Sequence, residues 1–180
     1  MTNLEEQKSI DPIWVRIAWH LSGHAIVAAR LGFRINEGRI FMTGKHHGQV
    51  RCRLPGRTMD HLTQAERKVA ALKCIAVLAA GRIAEDKAKN LNQLAAGSEN
   101  EFDDHDPEGD KEQIDQFAGC AAADDEVLLE SLKRNGTALA ADILNKDLGK
   151  VKELAGSFLQ STGTVTQQTI YTVAGVKVPV

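Results

Sequence analysis

Apolar residues recur at helical spacing along most of the chain, and the first such segment lies between Ile13 and Leu31. Asp11 and Pro12 precede it, and these residue types are preferred at the N-cap and in the first turn of a helix. We therefore predict a helix from Pro12 to about Leu31, ended by Gly32 in the left-handed conformation.

A second long helix is predicted to begin at Thr63, because residues 63–66, Thr-Gln-Ala-Glu, match the capping-box pattern. Its apolar face continues to Ile83 and is rich in alanine, which indicates close contact with another helix. Gly81 lies inside this segment at a cost of about 1 kcal/mol unless close packing requires a glycine there.

The second half of the chain predicts three further helical segments. One begins near Asp110, a second follows residues 124–126 and is expected to stop at Asn135-Gly136, and a third runs from Thr137 to about Gln160. The third segment is either one helix or two helices joined near Gly149. The strongly acidic segment before them, residues 99–109, is predicted to be a mobile loop because its like charges repel.

Strand-like patterns are confined to short stretches. Phe33 to Met42 and Gln49 to Leu54 read as strands on either side of a glycine-containing turn, which predicts a small β-hairpin or sheet edge near residues 33–54. Residues 164–166 predict a cap and a short helical turn, and residues 170–180 predict a terminal strand or a frayed tail. The predicted fold class is mostly α in a single domain, residues 1–180, with residues 1–11 as a polar amino-terminal tail.

The amino-acid composition argues against some classes of function. The 180 residues are 43% hydrophobic and 26% charged with a formal net charge of -2, which is typical of a globular domain and offers no basic field to collect phosphates. We therefore expect no nucleic-acid partner, and no apolar run is long enough to predict a membrane span. Three widely spaced cysteines without a Cys-x-x-Cys pair fit a reducing compartment, so a cytoplasmic location is expected.

His20 and His24 are the clearest candidates for functional residues. At positions i and i+4 of the first helix they share one face, so both imidazoles can reach a single metal ion. A zinc peptidase helix uses this spacing as His-Glu-x-x-His, with the Glu as general base, but here Leu21 occupies the Glu position. Gly23 is costly in mid-helix unless another group approaches the backbone closely.

A zinc peptidase site also needs a third protein ligand, and a carboxylate is an ordinary choice. Asp110 is favoured because it begins a helix, whereas the neighbouring acidic residues lie within the predicted loop. The alternatives in that loop are Asp103, Asp104, His105 and Asp106.

Several motifs, in order along the chain, resemble those of the FtsH-type ATP-dependent zinc metallopeptidases. The segment around the two histidines is similar to their His-Glu-Ala-Gly-His-Ala helix, residues 76–85 to their Leu-Gly-Gly-Arg-Ala-Ala-Glu helix, and residues 109–114 to their Asn-Asp-Leu-x-x-Ala segment. Residues 151–166 resemble the final helix and cap of the family. The likeness covers about residues 12–170, without the ATPase module and membrane anchor of the full enzymes.

The resemblance implies an FtsH-like helical peptidase fold with Zn²⁺ as cofactor, bound by His20, His24 and Asp110. It also implies that Glu85 lies behind one of these ligands and fixes its ring orientation and tautomer. Expected partners are an unfolded protein or peptide substrate and, as a further option, a separate ATPase or adaptor; oligomeric state is not predicted.

Leu21 changes the expected activity. In the family mechanism the Glu takes a proton from the zinc-activated water and returns it to the leaving amine, and Leu21 can do neither. We expect zinc binding to persist and proteolysis to be lost or strongly impaired. The intact motif around Leu21 favours a zinc metalloendopeptidase domain with a single lesion, such as an introduced change at that position. The alternatives are a natural pseudo-peptidase that binds peptides or partners, and a helical structural domain without a metal.

Overall fold

The computed structural model describes residues 11–42, 46–55, 59–94 and 109–179, and within them the chain is mostly helical with one small sheet. This confirms the predicted fold class at that level. The helices are α1 (Pro12–Arg30), α2 (Gln64–Asn90), α3 (Asp110–Ala122), α4 (Glu126–Lys146), α5 (Leu148–Gln160) and α6 (Gln167–Ala174), and the strands are β1 (Ile35–Met42), β2 (His46–Cys52) and β3 (Thr164–Thr166).

The predicted start signals of the first two helices act as expected. Asp11 accepts a hydrogen bond from the Ile13 amide at 2.9 Å, and Gly32 takes a left-handed φ of 80° after α1. Thr63 and Glu66 form the complete capping box of α2. These two helices pack against each other, and α2 also contacts α3 and α4, so α2 lies at the centre of the fold.

The sheet is antiparallel in the order β2-β1-β3, which leaves β2 at an edge among the described residues. The hairpin of β1 and β2 confirms the predicted one, with a register shift between Ile35 and Glu37. Residues 164–166 pair with β1 as the third strand, so the prediction of a helical turn there was wrong. Of these three residues, Thr166 alone acts as the predicted cap, because its hydroxyl accepts a hydrogen bond from the Thr169 amide at the start of α6.

The predicted helix stop at Asn135-Gly136 was also wrong, whereas the predicted junction of two helices near Gly149 is confirmed. Helix α4 passes through Asn135-Gly136 without a break, because Gly136 provides space for α2: a β-carbon there would lie 2.5 Å from Cγ2 of Ile75. The helices α4 and α5 meet at Asp147, two residues before Gly149. Its carboxylate receives two hydrogen bonds from Arg30, at 2.6 and 2.8 Å, which fix this junction to the end of α1.

The segment after β3 corrects the expectation of a terminal strand or a frayed tail. Residues 167–174 form α6, which ends at Gly175 with a left-handed φ of 67°. Tyr171 anchors this helix, because its hydroxyl donates to the Phe33 carbonyl at 2.7 Å and accepts from the Ile35 amide at 2.9 Å. The polar side chain thereby ties α6 to the start of β1.

Tyr171→Phe is expected to lower the free energy of unfolding by about 1–3 kcal/mol, because the buried Ile35 amide loses its acceptor. Urea denaturation followed by circular dichroism measures this change. Ser157→Ala, which removes a hydroxyl bonded to the Glu153 carbonyl at an exposed site, should change stability by no more than about 0.5 kcal/mol. Equal effects of the two substitutions would contradict the anchoring role of Tyr171.

Most of the two segments predicted to be irregular lie outside the described residues. They are the amino-terminal tail, of which the structure describes only Asp11, and the acidic loop 99–109, of which it describes only Gly109 before α3. Among the described helices, none combines the length and apolarity that a membrane span requires.

Candidate metal centre

Close packing of α1 on α2 brings the first pair of candidate ligands against a second helix. A β-carbon on Gly23 would overlap the Ala80 carbonyl oxygen and lie 2.7 Å from the Ala84 β-carbon. Glycine at this position therefore lets the two backbones approach each other, as its place in mid-helix indicated. The face of α1 that carries His20 and His24 is turned toward α2 and the start of α3.

His20, His24 and Asp110 come together in this structure, although Asp110 is far from the histidines in sequence. The Nε2 atoms of the two imidazoles are 2.8 Å apart, and Oδ2 of Asp110 lies 3.4 Å from the first and 3.1 Å from the second. Ligand atoms around a tetrahedral zinc ion, with bonds of 2.0–2.1 Å, stand about 3.3 Å apart. The group can therefore hold a metal ion after a small outward movement.

Each imidazole is held from behind by a hydrogen-bond acceptor. Nδ1 of His20 lies 2.6 Å from Oε1 of Glu85, and Nδ1 of His24 lies 2.7 Å from the Val77 carbonyl oxygen. A proton on each Nδ1 satisfies both acceptors and leaves each Nε2 lone pair directed into the site. Such outer hydrogen bonds fix the tautomer and ring orientation of metal-binding histidines.

Glu85 is itself held by Arg16, whose Nε donates to Oε2 at 2.7 Å, and both residues are only 2% exposed. Burial by itself would raise the pKa of Glu85, but the contacts with His20 and Arg16 outweigh it and keep that pKa below its usual value. Glu85 is therefore a buried carboxylate with one oxygen for the cation and the other for the imidazole. The family resemblance predicted that Glu85 supports a ligand, but no role was predicted for Arg16. A charged residue four positions before His20 on an apolar helix could have indicated a buried ion pair.

The same contacts make the site attractive to positive charge. Burial lowers the pKa of His20, but the hydrogen bonds and negative charges of Asp110 and Glu85 more than compensate and raise it to about 9. For Asp110, burial favours the neutral acid, yet the adjacent histidines hold its pKa well below the usual range. Without a metal, the cluster thus retains a proton near neutral pH.

Metal affinity should rise with pH as a result. A metal ion needs the neutral imidazole of His20, so binding at pH 7 must displace a proton, and the apparent affinity is expected to increase by about tenfold per unit up to a pH of about 9. Competition with a chelator of known affinity, measured between pH 6.5 and 9, tests this. An affinity that does not change over this range would contradict the expectation.

Gly81 forms the floor of the site. A β-carbon at this position would lie 2.5 Å from Nε2 of His24 and 2.6 Å from both Cε1 and Nε2 of His20. The glycine that interrupts the apolar face of α2 is therefore required by close packing against the two imidazoles. Any side chain here would occupy the place of the ligand atoms.

A cavity of about 360 Å³ opens beside the three ligand atoms, and most of its other side chains are apolar. Leu21 belongs to its wall and is 2% exposed. Strand β2 packs over it at Gly48, where a β-carbon would lie 2.9 Å from Cδ1 of Leu21. Leu21 therefore lies next to the candidate ligands, at the position of the general base in FtsH-type peptidases, and its side chain has no titratable group.

The alternative ligands in the acidic segment, Asp103, Asp104, His105 and Asp106, lie outside the described residues. Comparison of the chain with the models of known protein families and with curated proteins finds no match. The resemblance to FtsH-type peptidases therefore rests on the sequence motifs alone.

Proposed function

We propose that this chain is a zinc-binding domain of the FtsH-type peptidase class that binds extended peptides at its metal centre and, with Leu21 in place of the general base, cleaves them little or not at all. The observation that carries this proposal is the convergence of His20 Nε2, His24 Nε2 and Asp110 Oδ2 within 3.4 Å of one another.

Zinc is the metal that the donor set suits best. Two imidazole nitrogens and one carboxylate oxygen are an ordinary ligand set for a catalytic zinc site, which keeps its fourth position open. When bound, zinc supplies Lewis-acid activation of a water molecule and of a carbonyl group. The protein contributes the fixed imidazoles, through Glu85 and the Val77 carbonyl, and the cavity beside them.

An extended peptide is the partner that the neighbouring strand favours. Strand β2 is at an edge of the sheet among the described elements, and residues 47–50 of this strand border the cavity. An edge strand can pair with an added peptide strand through main-chain hydrogen bonds. A peptide paired with β2 would pass the candidate ligands, which supports the proposal of an unfolded protein or peptide as partner.

Leu21 accounts for the proposed loss of cleavage. Its side chain has no proton to give or take, and general acid–base assistance contributes about 10²- to 10⁴-fold in rate. Among the described residues that line the cavity, Asp110 is the only carboxylate, and it is used as a ligand in this proposal. The alternative, a peptidase with one lesion, predicts that restoring Glu at position 21 restores activity.

Two measurements test the proposal. Metal analysis of the protein, first as purified and then after titration with zinc, should give one zinc per chain, and His24→Ala should abolish tight binding. Cleavage of a fluorescently labelled unfolded protein is then compared for the chain with Leu21, Leu21→Glu and Leu21→Gln. Zinc-dependent cleavage by Leu21→Glu alone supports a peptidase-type site, whereas no zinc in any sample would exclude the metal proposal.

A further inference from the structure

We propose that the cavity beside the metal centre binds the free carboxyl terminus of a peptide whose last residue is apolar. This rests on the proposed zinc site and specifies its ligand. The α-carboxylate takes the open position of the metal, and the last side chain lies against the apolar wall of the cavity. The chain would then act as a receptor for peptide ends.

The charge of the centre favours an anion. Zinc with two neutral imidazoles and the Asp110 carboxylate has one net positive charge. The adjacent pair of Arg16 and Glu85 adds none, because its two charges compensate at 2.7 Å. One carboxylate from a ligand neutralises the centre in a partly buried, low-dielectric place, where an uncompensated charge is costly.

The side chains that line the cavity determine which kind of group can bind next to the carboxylate. Besides the three candidate ligands, the side chains around the cavity include six that are aliphatic: Ile17, Leu21, Val50, Leu54, Val77 and Leu78. A glutamate at position 21 would repel an incoming carboxylate, whereas Leu21 presents hydrocarbon next to the metal position. The substitution that removes the base therefore also removes the negative charge that would oppose an anionic ligand.

Strand β2 explains why a peptide suits this cavity better than a small organic acid. Residues 47–50 of β2 all border the cavity, and alternation along the strand places Gly48 and Val50 on the same face of the sheet. Among the described strands β2 pairs only with β1, so its other edge is available to a paired backbone, and Gly48 on this strand is exposed. The last residue of a peptide supplies a carboxylate, a side chain and a main chain that can pair with β2.

A carboxylate from an internal Asp or Glu has the same metal-binding chemistry, but such a side chain brings no apolar group with it. The observations therefore favour the chain end as its source. Fluorescence polarisation with labelled pentapeptides distinguishes the two sources. The set consists of a peptide ending in Leu with a free carboxylate, the same peptide with a terminal amide, and an amide in which an internal residue is Glu.

With zinc-loaded protein, the free acid should bind at least about 30-fold more tightly than the amide, because only the acid has the anionic group. Removal of zinc with a chelator should abolish this difference. The internal Glu should give less than one tenth of the gain in affinity. Tight binding of the amide that contains Glu would overturn the assignment to the chain end.

A matched pair of variants tests the position of the carboxylate. Val50→Asp adds a negative charge to the cavity wall and should reduce the preference for the free acid about tenfold, whereas the neutral Val50→Asn should retain it. Zinc content and a thermal unfolding curve show that both variants are folded and loaded. Should one zinc bind per chain while acid and amide bind equally, this proposal fails and the proposed metal site stands; should no zinc bind, the proposed function itself fails.

Discussion

Glu85→Gln is expected to lower the free energy of unfolding by about 3–5 kcal/mol, the largest stability effect of any change considered. The side chain of Arg16 is 2% exposed, and the Glu85 carboxylate lies 2.7 Å from it. Removing the negative charge takes away the carboxylate that is paired with a buried cation, which is far more costly than the loss of an exposed ion pair. Urea denaturation measures the effect, and Asp86→Asn, at the exposed neighbouring position, is the matched control.

The same substitution should weaken zinc binding by about 10- to 100-fold. The glutamine amide has one accepting oxygen for two donors, Arg16 Nε and His20 Nδ1, and it has no negative charge to hold the imidazole. The double variant Arg16→Leu/Glu85→Leu separates the two effects. It replaces the ion pair by apolar side chains and should recover most of the stability, while zinc affinity stays low. Recovery of zinc affinity in the double variant would show that Glu85 does not act through His20.

Gly81→Ala is expected to reduce zinc affinity by at least about 100-fold, since the added methyl group would lie within 2.6 Å of both candidate imidazoles. A movement of the rings away from this methyl group would stretch the hydrogen bonds that Glu85 and the Val77 carbonyl make with their other nitrogens. The helix itself gains about 1 kcal/mol from replacing glycine by alanine. The variant should therefore lose metal before it loses its fold, as metal analysis and thermal unfolding would show.

Two other glycines serve as controls for Gly81. Gly156 in α5 has open space where its β-carbon would be, so Gly156→Ala should leave zinc affinity unchanged. Gly23→Ala would instead place a methyl group against the backbone of α2 at Ala80 and should destabilise the packing of the two helices. Wild-type zinc affinity in Gly81→Ala would contradict the described position of the imidazoles.

Local patterns were sufficient for the features that depend on neighbouring residues. The cap at Asp11, the left-handed Gly32 and the capping box at Thr63 and Glu66 all follow from backbone hydrogen bonding within one turn. The spacing of His20 and His24 likewise places them on one helical face whatever surrounds the helix. These predictions needed no knowledge of the fold.

The wrong predictions involve residues whose environment is set by distant parts of the chain. Gly136 reads as a helix stop, but it lies inside α4 because Ile75 of α2 packs against it. Residues 164–166 read as a helical turn, but pairing with β1 makes them a strand. In each place a tertiary contact outweighs a local preference that amounts to about 1 kcal/mol or less.

The sequence by itself determined the helical class of the chain, the hairpin, the pair of histidines and the absence of a glutamate at Leu21. Only the tertiary structure decided that Asp110 meets His20 and His24, that Arg16 holds Glu85 behind the site, and that Gly81 makes room for both imidazoles. The physical reason is that a metal centre requires distances of a few ångströms between residues that are far apart in sequence. Periodicity fixes which face a residue occupies, whereas the packing of α1 on α2 and α3 fixes what that face meets.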